Sequence, residues 1–521
     1  MAFKALGTQS SRSLSRRSLF MLPVLAAVPY LGAQSRSDLA PTGAAGDGVT
    51  LDTLAIQTAI DRCAAAGGGV VLFPPGRYLI GTLHLRDRVT LMLEAGAVLL
   101  GSKRLEDYPI WHDSIPSYTS TYTERCLIRA DGAKDVAIKG AGTIDGNGAA
   151  FTGEYKARPF LLRFVACHGV HILGITLQNP AMWTQHYLEC EDVLIDGIRV
   201  RSRRPGVNND GIDVDSCRRV RIANCDIDSG DDAIVLKATT NTPCRDVVVT
   251  NCILSTLSNA FKIGTETNGG FDNIVFSNSA IHDTDVAGIA LETVDGGALT
   301  RVSISNIVMR NTRYPIVLRL GNRARPITEH APRPGIGTFS GVMIRGIIAE
   351  ISSSFGCVIA GFPGHPIEDV VLDDIRLTTA GGGTAISEGQ QVPDKPDAYP
   401  EADMFGPLPA SGIYCRHVRG LSINRFTLRT AKPDTRPVLF ADHTENIVVS
   451  ELIGPAMSSP LIEFKDVRRA RVRETSTSGN AQVLVKMSGS ETQDIAVAPD
   501  QEEAPRILSG PEVRVKAWRL K

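Results

Sequence analysis

Three aspartates carry most of the chemical potential of this chain. Asp210 stands in Asn208-Asn209-Asp210-Gly211-Ile212-Asp213, and Asp231 and Asp232 in Gly230-Asp231-Asp232. Each leads into an apolar run, Ile212-Asp213-Val214 in one case and Ala233-Ile234-Val235-Leu236 in the other. Asp and Asn beside Gly are ordinary turn residues, so none of the three is informative alone. Brought together they become informative. Carboxylates that crowd one another repel when ionised, and one of them keeps its proton to a higher pH than a free Asp. A protonated carboxyl beside an ionised one is a general acid beside a base that can activate water. Inverting cleavage of a glycosidic bond uses such a pair, with the carboxyls roughly 6.5–9.5 Å apart. A Ca²⁺ site is the competing reading, because hard cations take clustered carboxylates.

A repeat is what would bring them together. From about Val136 a unit of the form apolar, any, apolar, any, Gly or Asn recurs, with clear copies at Val170, Val193, Val220, Val247, Ile274 and Val302, in steps of 23, 27, 27, 27 and 28. A near-constant step with period-2 strands predicts a β-solenoid. Cys167, Cys190, Cys217 and Cys244 each lie three residues before a unit, Cys225 and Cys252 share a second register, and Asn224, Asn251, Asn278 and Asn306 each lie four after a unit start. Equivalent positions on successive turns stack about 4.8 Å apart. The cysteines therefore read as small buried core residues, with a disulfide between neighbours as the alternative. The asparagines read as a ladder of amides satisfying one another at a buried bend.

In this register Ile212, Ile234, Phe261 and Ile289 form one inward row, and Val214, Leu236, Ile263 and Leu291 the next. The row just ahead is Asp210, Asp232, Asn259 and Ala287, with Asp231 beside Asp232. Later units spread, to 40 residues from Val302 to Val342 and 51 from Val370 to Leu421. These steps predict inserted loops around 322–337 and in the stretch holding Gly381-Gly382-Gly383 and 392–409, extending one face and able to close one end of a groove.

Ahead of the repeat, 46–63 predicts a capping helix with Thr50 or Asp52 near its start, apolar positions at Leu54, Ile56, Ala59, Ile60 and Cys63, and a stop at Gly67-Gly68-Gly69. Ser15-Arg16-Arg17-Ser18-Leu19-Phe20-Met21, the apolar run 19–31 and Gly32-Ala33-Gln34 have the order of a twin-arginine signal. That run is too short for a bilayer core of about 30 Å; an ordinary secretory signal or an anchored N-terminus is the alternative. The expected division is a signal at 1–33, cap and first strands at 34–100, parallel β-helix at 101–487 and a loosely held tail at 488–521. The 49 Gly and 29 Pro in 521 residues suit short strands and turns. The formal charge is −1, or −5 without the first 33 residues, so nothing basic enough argues for a nucleic-acid partner and none is expected. No membrane association is expected after signal removal, and a monomer is expected.

The ordered set Asn208-Asn209-Asp210-Gly211-Ile212-Asp213, Ser216-Cys217, Gly230-Asp231-Asp232-Ala233-Ile234 and Lys237 resembles the polygalacturonase family, glycoside hydrolase family 28. Gly142-Thr143-Ile144-Asp145-Gly146-Asn147-Gly148, Arg158-Pro159 and Asn179-Pro180-Ala181-Met182-Trp183 extend the likeness upstream. The resemblance implies an all-β fold, a right-handed parallel β-helix, and inverting hydrolysis of a pectic poly- or oligosaccharide. It implies Asp231 as general acid, Asp210 and Asp232 as the pair that holds and activates water, and no metal or organic cofactor.

Two departures stand out. The family's Gly-His-Gly is Ser258-Asn259-Ala260 here, and its Arg-Ile-Lys, which grips a substrate carboxylate, is Ala290-Leu291-Glu292. A charge of the wrong sign beside a galacturonate carboxylate costs affinity. Asn259, Lys262, Glu266, Glu292 and Arg319 are therefore expected to form a rewritten substrate subsite, for a neutral sugar or a differently placed acid. The alternative is that Glu292 and Arg319 merely pair on a solvated face. Trp183, His186 and Tyr187 are candidates for a further sugar position. Two other readings stay open: a β-eliminative lyase, which would need Ca²⁺ and a basic residue, and a β-helix that only binds glycan.

Overall fold

The computed structural model describes residues 38–384, 391–455, 458, 460–477, 483–498, 507–511 and 513; the expected signal lies outside them. Each strand pairs in parallel with its equivalents one coil before and after, so three parallel sheets run along the stack. The first contains His168–Leu173, Glu191–Asp196, Arg218–Ala223 and Cys244–Thr250. The second contains Thr176–Gln178, Arg199–Ser202, Asp226–Ser229 and Ile253–Thr256. The third contains Gln185–Leu188, Ile212–Asp215, Ile234–Ala238 and Phe261–Thr267. The coil is a right-handed parallel β-helix, the hand that parallel crossovers take.

The predicted register is the observed one. Val170, Val193, Val220, Val247, Ile274 and Val302 are successive partners in the first sheet. The long steps hold as well, with Val302 opposite Val342 and Val370 opposite Leu421. Both inward rows of the third sheet pair as read, and all eight residues are fully buried. All ten cysteines are buried and free.

The asparagine row has a different cause from the one expected. Gly174, Gly197, Asn224, Asn251, Asn278, Asn306, Gly346 and Asp374 occupy the same bend in consecutive coils, with φ between 51° and 73°. Gly and Asn enter this left-handed region at least cost. The amides do ladder, Asn251 Nδ2 to Asn224 Oδ1 at 3.4 Å and Asn306 Nδ2 to Asn278 Oδ1 at 3.1 Å, but these bends are exposed, not buried. The backbone, not amide desolvation, selects Asn.

The capping helix is Thr53–Ala65, with Ile56, Ala59, Ile60 and Cys63 buried and Leu54, contrary to expectation, 79% exposed. The stack is also longer than the expected division allowed. Val98 already pairs with Thr143 across the boundary at 100, and beyond 488 Gln493–Ala498 pairs with Arg468–Arg473 and Ile507–Ser509 with Val485–Ser488. Alternation, not local composition, sets these limits, since Ile495 and Val497 are buried in a polar stretch. The insertion at 392–410 lies on the outer face of the third sheet. There Val392, Ala402, Phe405 and Leu408 pack on Ala290, Val317, Val358 and Tyr414.

Candidate active site

The three aspartates sit where consecutive coils enter the third sheet. Asp210 precedes Ile212–Asp215, and Asp231 and Asp232 precede Ile234–Ala238. The backbone ties the coils in register there: Gly211 N–H donates to Asp232 O, and Ala233 N–H to Asn259 O, both at 2.9 Å. Their glycine neighbours are dictated by this packing. A Cβ on Gly211 would lie 2.4 Å from Ala233 O, and one on Gly230 2.3 Å from Arg204 O. One carboxylate oxygen from each of Asp210, Asp231 and Asp232 lies within 4.8 Å of the others. Two oxygens at this separation can share one water, each bond being about 2.7–2.8 Å.

Identical side chains acquire different protonation from their surroundings. Asp232 Oδ1 accepts from Ser258 Oγ (2.8 Å), Asn259 N–H (3.1 Å) and Asn259 Nδ2 (2.8 Å), and Oδ2 lies 3.1 Å from Lys262 Nζ. Burial acts to raise its pKa, but Lys262, Lys237 and these hydrogen bonds prevail and hold it below the usual carboxylate value. Asp231 accepts from Asp232 N–H (2.9 Å) and Asn208 Nδ2 (3.2 Å), yet burial and the charge of Asp232 push it up to about 6. Burial, then Asp213 and Asp231, push Asp210 well above the usual range. Its Oδ1 has no hydrogen-bond partner among the described residues.

The three carboxylates are close enough to hold a cation. However, Asp232 already spends one oxygen on Ser258 and Asn259 and the other on Lys262, and Lys237 adds a second ammonium. This donor set suits a proton-transfer centre better than a Ca²⁺ cage, which wants six to eight free oxygens.

A cavity of about 270 Å³ opens over the aspartates. Tyr118, Tyr122, Trp183 and Tyr399 form aromatic walls, and Lys237, Glu266 and Arg325 line it with charge. Glu266 binds Lys237 Nζ (3.2 Å) and Arg325 Nη1 (2.9 Å), which with Arg323 outweigh its burial and keep it ionised.

Of the five residues expected to contact substrate, only Glu266 lines this cavity. Asn259 and Lys262 are buried behind Asp232 as its partners, and Glu292 lies 3.7 Å from Lys262, pushed up to about 7 chiefly by burial. Arg319 does not line this cavity and is not half of a surface pair. It is 1% exposed, its Nη1 donates to the Ala360 and Gly361 carbonyls and its Nη2 to those of Asp394 (2.7 Å) and Lys395 (3.0 Å). Sequence spacing located its row correctly but could not show the insertion folded over it. Trp183 lines the cavity with Lys237 Nζ 4.8 Å from its ring. Tyr187 is core, and His186 is buried between Arg163 (2.8 Å) and Asp215 (3.2 Å).

The residues that went unnoticed, Tyr118, Tyr122, Arg325 and Tyr399, all lie on segments outside the repeat. One signal was available: Arg323-Ala324-Arg325 is a basic pair with the same one-residue gap as the pair missing from 290–292.

Comparison with known proteins identifies the family and the fold. The sequence profile described as "Glycosyl hydrolases family 28" matches residues 91–396, and that described as "Rhamnogalacturonase A/epimerase, pectate lyase-like" matches residues 40–99. A probable polygalacturonase of Vitis vinifera is 28% identical over 397 residues, covering 71% of this chain and 80% of that one. A probable exopolygalacturonase B of Emericella nidulans is 24% identical over 356 residues, 63% of this chain and 79% of the relative. The solved family 28 exopolygalacturonase of Yersinia enterocolitica superposes with a TM-score of 0.61 at 20% identity, over 82% of this chain and 77% of that one.

Proposed function

The chain belongs to glycosyl hydrolases family 28, and from that premise we propose that it is an exported hydrolase of galacturonate-containing pectic glycans. Asp231 protonates the leaving oxygen, Asp232 takes the proton of the attacking water, and Asp210 helps to hold that water. The observation that carries this reading is the split in protonation: one carboxyl raised to about 6 beside another held below the usual range. Among the three, Asp232 is the carboxylate that stays ionised, which suits it for the base. The aromatic cavity walls suit sugar faces. The inserted loops that bring Arg325 and Tyr399 to the cavity favour a closed end and cleavage from a chain terminus, in keeping with the exopolygalacturonase relative. The twin-arginine order at 15–21 supports export.

Inversion follows from the family resemblance, and the alternative outcome is retention through an Asp nucleophile. Proton NMR of the anomer first released from an oligogalacturonate separates them: the α-linked substrate gives the β-anomer under inversion and the α-anomer under retention. Asp231→Asn is expected to lower kcat about 10²–10⁴-fold with an unchanged melting temperature. Full activity in that variant would remove Asp231 from the role of acid.

A further inference from the structure

A second hollow of about 500 Å³ adjoins the reaction cavity, and Tyr155 and Asn208 line both. Its most unusual feature is Arg158. This side chain is 6% exposed, lies with its guanidinium carbon 4.7 Å over the Tyr155 ring, and makes one long hydrogen bond, from Nη2 to Asn208 Oδ1 at 3.4 Å. Among the described residues no carboxylate pairs with it, and its Nε has no hydrogen-bond partner. Burial and the nearby charge of Arg204 both act against its protonated form. Glu154 also lines the hollow, but it is exposed and makes no ion pair among the described residues. Lys156 adds a cation at the exposed rim. A buried guanidinium without a counter-ion is destabilising, and it stays charged most easily when an anion can reach it.

Asn208 connects this hollow to the reaction centre. Its Oδ1 accepts from Arg158, and its Nδ2 donates to Asp231 at 3.2 Å. Arg204 belongs to the same surround, its backbone packed on Gly230 of the Gly-Asp-Asp turn.

We propose that this hollow is a subsite for a uronate sugar, whose carboxylate pairs with Arg158 and Lys156 while its ring lies against Tyr155. The sugar it holds is the neighbour, along the glycan, of the residue cleaved over Asp231. The proposal rests on the hydrolytic reading above and deepens it: it places a cationic grip on a substrate carboxylate on the side of the aspartates away from 290–292, where the basic pair is missing.

The test separates the two. In an Asp231→Asn background, affinity for trigalacturonate and for its carboxyl-reduced analogue is measured by calorimetry, with and without Arg158→Gln. The expected result is at least about a ten-fold loss for the free acid and no change for the reduced analogue. Arg158→Lys should restore part of the free-acid preference, and Arg204→Gln, which removes a flanking charge without touching a buried contact, should weaken free-acid binding about two- to three-fold. Equal loss for both ligands, no loss for either, or no preference for the free acid before Arg158 is changed would each overturn the subsite. If Arg158→Gln does not fold, the Arg158→Lys and Arg204→Gln pair decides on the same criterion. Carboxylate-dependent binding without release of reducing ends by the wild type would instead sink the hydrolytic reading and leave the subsite standing.

Discussion

At the residue scale, the proposed chemistry depends on one carboxyl being protonated while another, one residue away, is not. Asp231 is raised to about 6 and Asp232 is lowered, so the active form carries a proton on the first and none on the second. Activity should therefore be highest between the two values and should fall about ten-fold per pH unit above about 6 as Asp231 ionises; a kcat/KM profile flat from pH 5 to 8 would contradict it. Lys262 is the nearest cation to Asp232, at 3.1 Å, and does not line the cavity. Lys262→Met should move the acidic limb of the profile upward, because Asp232 loses its counter-charge, and lower kcat about 10-fold or more with little change in KM. A change confined to KM would make Lys262 a substrate contact instead.

At the scale of elements, the coils supply the reaction centre and the insertions supply its walls. Arg319 is the tie between them. It fastens the 394–395 backbone to the third sheet, Asn322 N–H reaches Pro396 O at 2.5 Å, and a few residues on Tyr399 reaches Lys262 Nζ at 3.3 Å. Arg319→Met would leave buried carbonyls without their donor, a loss of about 2–4 kcal/mol in stability. The 391–409 segment should then become the first site of limited proteolysis and kcat/KM should fall. Unchanged proteolysis would mean that the loop is held by its apolar face alone, through Phe405 and Leu408.

At the scale of the whole molecule, one hydrophobic core runs through the coils, from Ile56 under the helix to Val497 near the far end. Nine of the ten cysteines are part of it as small apolar side chains, and Cys126 packs in a separate cluster with Phe160, Met182 and Trp183. Native protein should react with a thiol reagent at none of them and unfolded protein at all ten; fewer than ten after unfolding without reductant would reveal a disulfide formed on export. No helix among the described residues is long and apolar enough to cross a membrane.

Sequence alone determined the β-helix, its register and the meeting of Asp210, Asp231 and Asp232. A repeat writes the same spatial relation many times, so a step of 27 residues fixes which side chains stack without knowledge of anything distant. It also exposed the missing basic pair at 290–292. What lies between the repeats has no such redundancy. That Arg319 faces a loop, that Lys262 and Glu292 are buried supports, that Arg325 and Tyr399 line the cavity over the aspartates and that Arg158 lines the hollow beside it depends on how the insertions and the segments at 113–125 and 146–158 pack. Those placements come from packing between residues far apart in the chain. The protonation of the aspartates belongs with them, because burial and the positions of Lys237 and Lys262 decide it, and neither exists until the coils are stacked.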